Sequence, residues 1–335
     1  MILISILGCA PEDPIATQQP SEVAEAPTEV AQELTATQTP TIPEATPQVM
    51  LLVGQEADPF TISQVQSTLE ELVSTGGQNL LIVESISSPE MQDNVELVVS
   101  IGSDVDITNL ATGSPQIHFI AIDQPGVSPL ENLSIIGDPE LDQKNQSFMA
   151  GYLAALVSTD YKVGALIPAD SDQSDRMLDA FIIGTRFFCG ICRPLYPPFN
   201  TFPHWDFLSI ENNSAGFQPV IDVLVSYGVE VIYLQGKLLS PEILTYLSDL
   251  GVKVVSDQSP ETLRNNWVGT VAADPSPALA LLWSDLMAGS SGVRKSSSIT
   301  LIDTESGLLS EGRRRVFDEM VADLEAGLVY PQSIQ

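Results

Sequence analysis

The chain is short of positive charge. Its 335 residues carry 13 Lys and Arg against 44 Asp and Glu, a formal net charge of −31, and no Lys or Arg occurs before Lys144. A surface that neutralises phosphates needs clustered bases, so composition argues against a nucleic-acid partner. It argues equally against a phosphorylated ligand in the first half. The acidity suits a protein kept soluble beside an anionic envelope. Three cysteines and two histidines build neither a disulfide framework nor a zinc pattern. Beyond the extreme N-terminus no apolar run is long enough to span a membrane. The sequence has no G-x-S-x-G, no phosphate-binding glycine loop and no H-E-x-x-H. With acids this abundant, any carboxylate pair is uninformative. No enzyme activity, cofactor or metal site is therefore expected.

What is present begins with a short apolar run, residues 1–10, ending in Ile6-Leu7-Gly8-Cys9. Small residues before a cysteine resemble a bacterial lipobox, which makes residues 1–9 a signal segment and Cys9 a lipidated N-terminus. The run lacks a basic leader and is short; a chance apolar start with a free thiol is the alternative. Residues 10–48 are rich in Pro, Thr, Glu, Gln and Ala, without aromatics or bases. Such a segment buries too little surface to offset its ordering entropy, and it reads as a tether. About 285 residues remain, enough for one large or two medium domains.

The stretch 145–168, NQSFMAGYLAALVSTDYKVGALIP, is the most informative. Asp138-Pro139-Glu140 is a helix start: a capping carboxylate, a proline at the first helical position and acid in the first turn. From Phe148 to Val157 the helix is apolar almost all round, as a buried helix is. Ala150, Gly151, Ala154 and Ala155 give it a smooth side for another backbone. Residues 161–167 then read as a buried strand. Strand and helix signals alternate before this stretch and again after it. Near-continuous apolar strands at 49–54, 79–83, 95–101, 117–122 and 133–136 indicate parallel pairing covered on both faces. The second half repeats the alternation, with strands at 207–210, 229–234, 252–256, 268–272 and 299–303. The expected fold is α/β, two doubly wound parallel-sheet lobes joined by a hinge. The expected division is 49–159 with about 273–303, and 160–272 with about 304–335.

GYLAALVS followed by KVGALIP resembles the "GylAAl…kvG" signature of the basic membrane protein family. GVEVIYL, VKVVSDQ and the closing order through Gly289, Gly307, Gly327 and Pro331 extend the likeness over roughly residues 48–331. That family consists of lipid-anchored substrate-binding proteins of ABC transporters with the type I periplasmic-binding-protein fold, typically nucleoside binders. The resemblance implies a small uncharged polar ligand, a nucleoside above all. It also implies an ABC permease partner and a membrane-anchored, extracytoplasmic location.

In a doubly wound sheet the ligand lies at the carboxyl ends of the strands. After the first strand, Asp58 and Phe60 match the family's "D.sFN" element, with Thr61 in place of its Asn. Asp58 can accept hydrogen bonds and Phe60 offers a stacking face; equally, D-P before a helix is ordinary capping. Asp123 and Asp257 end strands and match acidic positions of the family, where they would grip hydroxyls; a turn-forming Asp is the alternative. Phe148 could reach the crevice, though core packing suits it better. In the proline-rich loop 189–205, Trp205 and its aromatic neighbours could wall the cleft or simply pack. Cys189 and Cys192 form C-G-I-C, which in an oxidising envelope reads as a local disulfide; a redox pair or free thiols are alternatives. His118, inside a strand, reads as a structural histidine. The functional expectation is solute capture between two lobes for an ABC transporter. The alternatives are a ligand sensor that docks a membrane signalling partner, or a thiol-disulfide enzyme.

Overall fold

The structure, a computed structural model, describes residues 47–55, 57–84, 94–102, 105–159, 162–190, 202–211 and 213–331. Cys9, residues 10–46 of the expected tether and Cys192 lie outside them.

Two six-stranded sheets form the framework. The first contains β1 (Gln48–Val53), β2 (Asn79–Val83), β3 (Val95–Ile101), β4 (His118–Ile122), β5 (Leu133–Ile136) and β11 (Arg294–Lys295), in the order β11-β5-β4-β3-β1-β2. The second contains β6 (Val163–Pro168), β7 (His204–Leu208), β8 (Val231–Leu234), β9 (Lys253–Ser256), β10 (Trp267–Asp274) and β12 (Ser298–Ile302), in the order β12-β10-β9-β8-β6-β7. All neighbours are parallel except β10 and β12. Each sheet thus has a doubly wound order that reverses beside its first strand, at β1/β3 and at β6/β8.

Both faces of each sheet are covered, which is why the central strands need apolar residues at successive positions. On one face of the first sheet, Val49, Leu51, Val99 and Ile120 pack against α1 (Pro59–Gly76) and α7 (Ser276–Met287). On the other, Met50, Leu52, Val98 and Phe119 meet α2 (Ile107–Gly113). In the second sheet, Leu166, Ile232 and Val254 pack under α5 (Ser214–Ser226) and α6 (Pro241–Asp249). Its opposite face, through Ala165, Tyr233 and Val255, meets α3 (Pro139–Val157), α4 (Ser174–Cys189) and α8 (Glu311–Glu325).

Helix α3 starts as its sequence dictates, with Asp138 accepting from the Glu140 and Leu141 amides. From Ser147 to Val157 every residue is buried, and full burial of a side chain such as Phe148 contributes roughly 2–3 kcal/mol. Its small residues admit α4 to backbone contact. A Cβ on Gly151 would overlap the carbonyl oxygen of Phe181, and one on Gly184 would overlap that of Phe148. Two glycines facing opposite helices thus set the α3–α4 separation.

The lobe boundaries differ from the expected ones. Helix α3 belongs to the core of the second lobe, with β6, β8, α4 and α8, so the first crossing falls at Gly137–Asp138 rather than after residue 159. A helix apolar all round needs a core on every side, and the following sheet supplies it. The chain returns to the first lobe after Asp274, where α7 packs beside α1 and β11 joins β5. It crosses again before Ser298, because β12 pairs with β10 of the second sheet; residues 298–303 therefore leave the first lobe. Residue 48, placed in the tether by composition, opens β1.

Candidate functional site

The three crossings converge beside the carboxyl ends of the strands. Gly137 donates its amide to the Lys295 carbonyl (2.8 Å), and Arg294 Nη1 donates to the Gly137 carbonyl (2.9 Å), so the first and third crossings are bonded together. Gly137 has φ +83, and a Cβ there would meet Asp142 Oδ2 at 2.7 Å and Ser297 Oγ at 2.9 Å. Glycine is required here on both counts.

Against this junction lies a cavity of about 250 Å3. The first lobe contributes Asp58 and Thr61 after β1 and Asp123 after β4. The second contributes Gln235 and Lys237 after β8, Asp257 and Gln258 after β9, and Ala272 and Ala273 on β10. Helix α3 lays Pro139, Asp142, Gln143 and Gln146 along it. Larger hollows run along α1 (about 410 Å3) and α8 (about 320 Å3), and one of about 260 Å3 lies between the start of α6 and residues 258–264. Of these four, the 250 Å3 cavity is the one lined from both sheets.

Three of the four expected cleft residues that follow a β-strand are Asp58, Asp123 and Asp257, and the structure brings them together. Asp58 serves at once as cap and as lining. Its Oδ2 accepts from the Thr61 amide (2.9 Å) and hydroxyl (3.2 Å), closing the first turn of α1. Asp123 is held with φ 56, a left-handed conformation unusual outside glycine. Its amide donates to Ile136 (3.1 Å). Its carboxylate keeps an open face toward the cavity, yet neighbouring protein displaces enough water to raise its pKa; Asp58 and Asp138 raise it further.

Asp257 is buried and its carboxylate accepts three hydrogen bonds. Oδ2 accepts from Tyr233 Oη (3.0 Å) and Gln235 Nε2 (3.1 Å), and Oδ1 from the Gly236 amide (2.6 Å). Burial raises its pKa, and these three donors oppose the rise. The buried Tyr233 hydroxyl also meets Ser147 Oγ of α3 at 3.3 Å. Gln146 of α3 donates to the carbonyls of Asp257 (3.3 Å) and Val271 (3.0 Å). The strand ends of the second sheet are therefore pinned to α3.

Phe60 is half-buried in the first turn of α1 and is not among the lining residues. Phe148 is wholly buried in the second-lobe core. Trp205 lies on the edge strand β7, 44% exposed, in edge contact with Phe207 (5.4 Å). It pairs with Ala165, ahead of the strand's carboxyl end, and does not join the cavity. Cys189 ends α4 and is disulfide-bonded. His118 opens β4, at the end of the sheet away from the cavity, with Nδ1 buried and unpartnered.

Sequence reasoning missed Asp142, Gln146, Gln235 and Lys237. Asp142 is buried on α3; its carboxylate accepts from the Asp138 amide (3.0 Å) and bonds the Ser297 hydroxyl. Burial raises its pKa to about 7, with Asp123 and Asp138 adding to the rise and the two hydrogen bonds opposing it. A signal existed: Asp142, Gln143 and Gln146 share one helical face, polar at the front of a helix that is apolar from Phe148 on.

No protein-family model matches the sequence, and no curated protein is significantly similar to it. Solved structures match its fold. An ABC transporter solute-binding protein from Conexibacter woesei superposes with a TM-score of 0.62 at 15% identity, covering 85% of this chain and 98% of that one. A transcriptional activator of the comK gene from Bacillus halodurans gives 0.60 at 15% identity, covering 85% and 100%. A solute-binding protein of an ABC transporter system from Aeropyrum pernix gives 0.55 at 13% identity, covering 85% and 93%. The chain has the type I periplasmic-binding-protein-like fold. In that fold the two sheets face a ligand crevice with their strand carboxyl ends, which is where the 250 Å3 cavity lies. Among the described residues, no group of three or more His, Cys, Asp or Glu is placed to hold a metal ion, and no helix is long and apolar enough to cross a membrane.

Proposed function

We propose that the protein is an extracytoplasmic solute-binding component of an ABC transporter, held to a membrane through lipidated Cys9, that captures a small polar solute between its lobes. The observation that carries this reading is the cavity at the junction of the crossings, lined by Asp58 and Asp123 from one sheet and Gln235 and Asp257 from the other. A ligand bonded to both rows is bound more tightly when the lobes close, which couples occupancy to the surface offered to a permease. A cavity of this size falls below the range of drug-sized sites, so the solute is small. The resemblance implies a nucleoside. Among the described residues, however, the cavity has no aromatic wall on which a base would stack, so the reading rests at a small polar solute. The chemistry is binding rather than catalysis.

The match to a transcriptional activator is as good as the matches to transport proteins, and a sensor that passes closure to a signalling partner would use the same cavity. The two readings part at the recipient of the closed form. Calorimetric titration of the full chain with nucleosides, sugars, polyols and small amines tests capture itself: a saturable, one-to-one heat supports it, and silence throughout opposes it. Crosslinking of the closed form in membranes to a permease, as opposed to a signalling receptor, decides between transport and sensing.

A further inference from the structure

The cavity is short of positive charge in a way that specifies its guest. Among the described residues, the charged groups lining it are Asp58, Asp123, Asp142, Asp257 and Lys237, with Asp138 behind the first turn of α3. Among the described residues, none of these four lining carboxylates has a Lys or Arg nitrogen within 4.0 Å. Asp142 and Asp257 are 4% and 6% exposed. Buried carboxylates are ordinarily paired with a cation or kept protonated. Here hydrogen bonds hold them in place, and Lys237, the one cation among the described lining residues, forms no ion pair with them. Lys144 does not help, since it is absent from the lining and its charged neighbour is Arg176.

The remaining lining narrows the choice. Gln143, Gln146, Gln235 and Gln258 offer amide groups, and Ala272 and Ala273 a small apolar floor. Neither a metal-ligand cluster nor an aromatic face appears among the described residues of the cavity. The described lining thus offers a metal ion no cage and a cation–π clamp no ring. An ammonium group needs neither; it needs carboxylate and carbonyl oxygens converging from several sides.

We propose that the solute captured in this cavity is a small non-aromatic organic cation, an amine-bearing compound whose ammonium group lies between Asp123 and Asp142. This rests on the binding reading above and names its ligand class. The raised pKa of both carboxylates agrees with it, because desolvation and repulsion from neighbouring aspartates, only partly offset at Asp142 by its two hydrogen bonds, are what a bound cation relieves. A bound cation would lower both pKa values, so binding would release protons near neutral pH and strengthen as pH rises.

The test uses the full chain and isosteric probes by calorimetry: 1,4-diaminobutane and 4-amino-1-butanol as amines, 1,4-butanediol, ribose and adenosine as neutral compounds, succinate as an anion. The expected result is binding by an amine and by none of the others. It should weaken at least tenfold from pH 8 to pH 5.5, and weaken on adding salt. Asp123→Asn should lower it at least tenfold. Binding of butanediol, ribose or adenosine without binding of the amines would overturn the charge assignment and leave the solute-binding reading intact. Binding by no probe overturns both. A ligand-independent arm guards the outcome: at pH 8, Asp123→Asn should raise the thermal midpoint of the empty protein by relieving repulsion. A lowered midpoint would show that the carboxylate serves the fold and would count against a waiting cation site.

Discussion

Replacing Asp142 by Asn separates its structural and electrostatic roles. The side chain is 4% exposed, accepts from the Asp138 amide and bonds the Ser297 hydroxyl, and its pKa stands at about 7 against an ordinary 3.8. Between those values the unfolded chain has released the proton and the folded chain still holds it. Stability therefore falls as pH rises from about 4 to about 7, and is flat above. Three pKa units correspond to roughly 4 kcal/mol. Asn keeps one acceptor oxygen and loses the charge; weakened bonding to the two donors costs about 1 kcal/mol. At pH 8 the variant should thus be more stable than the parent by about 3 kcal/mol, roughly 5 °C in thermal midpoint for a domain of this size. At pH 4 it should be slightly less stable. Urea unfolding of both proteins at pH 4, 6 and 8 reads the difference directly. A difference that does not change with pH would refute the reasoning, because it would mean that Asp142 titrates as an exposed aspartate does.

Three further outcomes follow from particular contacts. Gly184→Ala would gain about 1 kcal/mol from helix propensity, but its Cβ collides with the Phe148 carbonyl. Backbone cannot yield as a side-chain tip does, so we expect a net loss of at least about 2 kcal/mol in denaturant unfolding. Asp257→Ala leaves the Gln235 amide and the Gly236 N–H without this acceptor and the Tyr233 hydroxyl with Ser147 as its remaining partner; a loss of about 2–3 kcal/mol is expected, with the tyrosine's near-ultraviolet dichroism reporting its loosened ring. Trp205→Ala, on the edge strand away from the cavity, should leave the affinity for any captured solute within about twofold by titration calorimetry.

The fold was legible because parallel, doubly covered sheets write long apolar runs, and these runs fell within a few residues of nearly every strand. The capping signals of α1 and α3 were equally direct: Asp58 and Asp138 do cap, each followed by proline. Lobe membership was not legible. Where α3 packs depends on which sheet offers a complementary groove, and Gly151 meets Phe181 only once α4 has been brought beside it. The short strand β11, two residues that complete the first sheet after an excursion through α7, carries no periodic signal at all. For the candidate site, the topological rule of strand carboxyl ends pointed to Asp58, Asp123 and Asp257, which lie along the cavity. Trp205 was read from its proline-rich loop instead, and it lies apart from the cavity because β7 begins at His204 and takes it into the edge strand. The rule missed Asp142 and Gln146, which reach the cavity from a helix instead of a strand end.

If residues from both sheets grip a single solute in the cavity beside α3, protein taken from its host carries that solute. Crystallography at high resolution of protein purified from its host, without a ligand-stripping step, tests it most directly. The expected result is density for a small non-aromatic molecule within hydrogen-bond distance of Asp123 on one side and of Gln235 or Gln258 on the other. Ordered water alone in that space, or a molecule bonded to one sheet only, would contradict it.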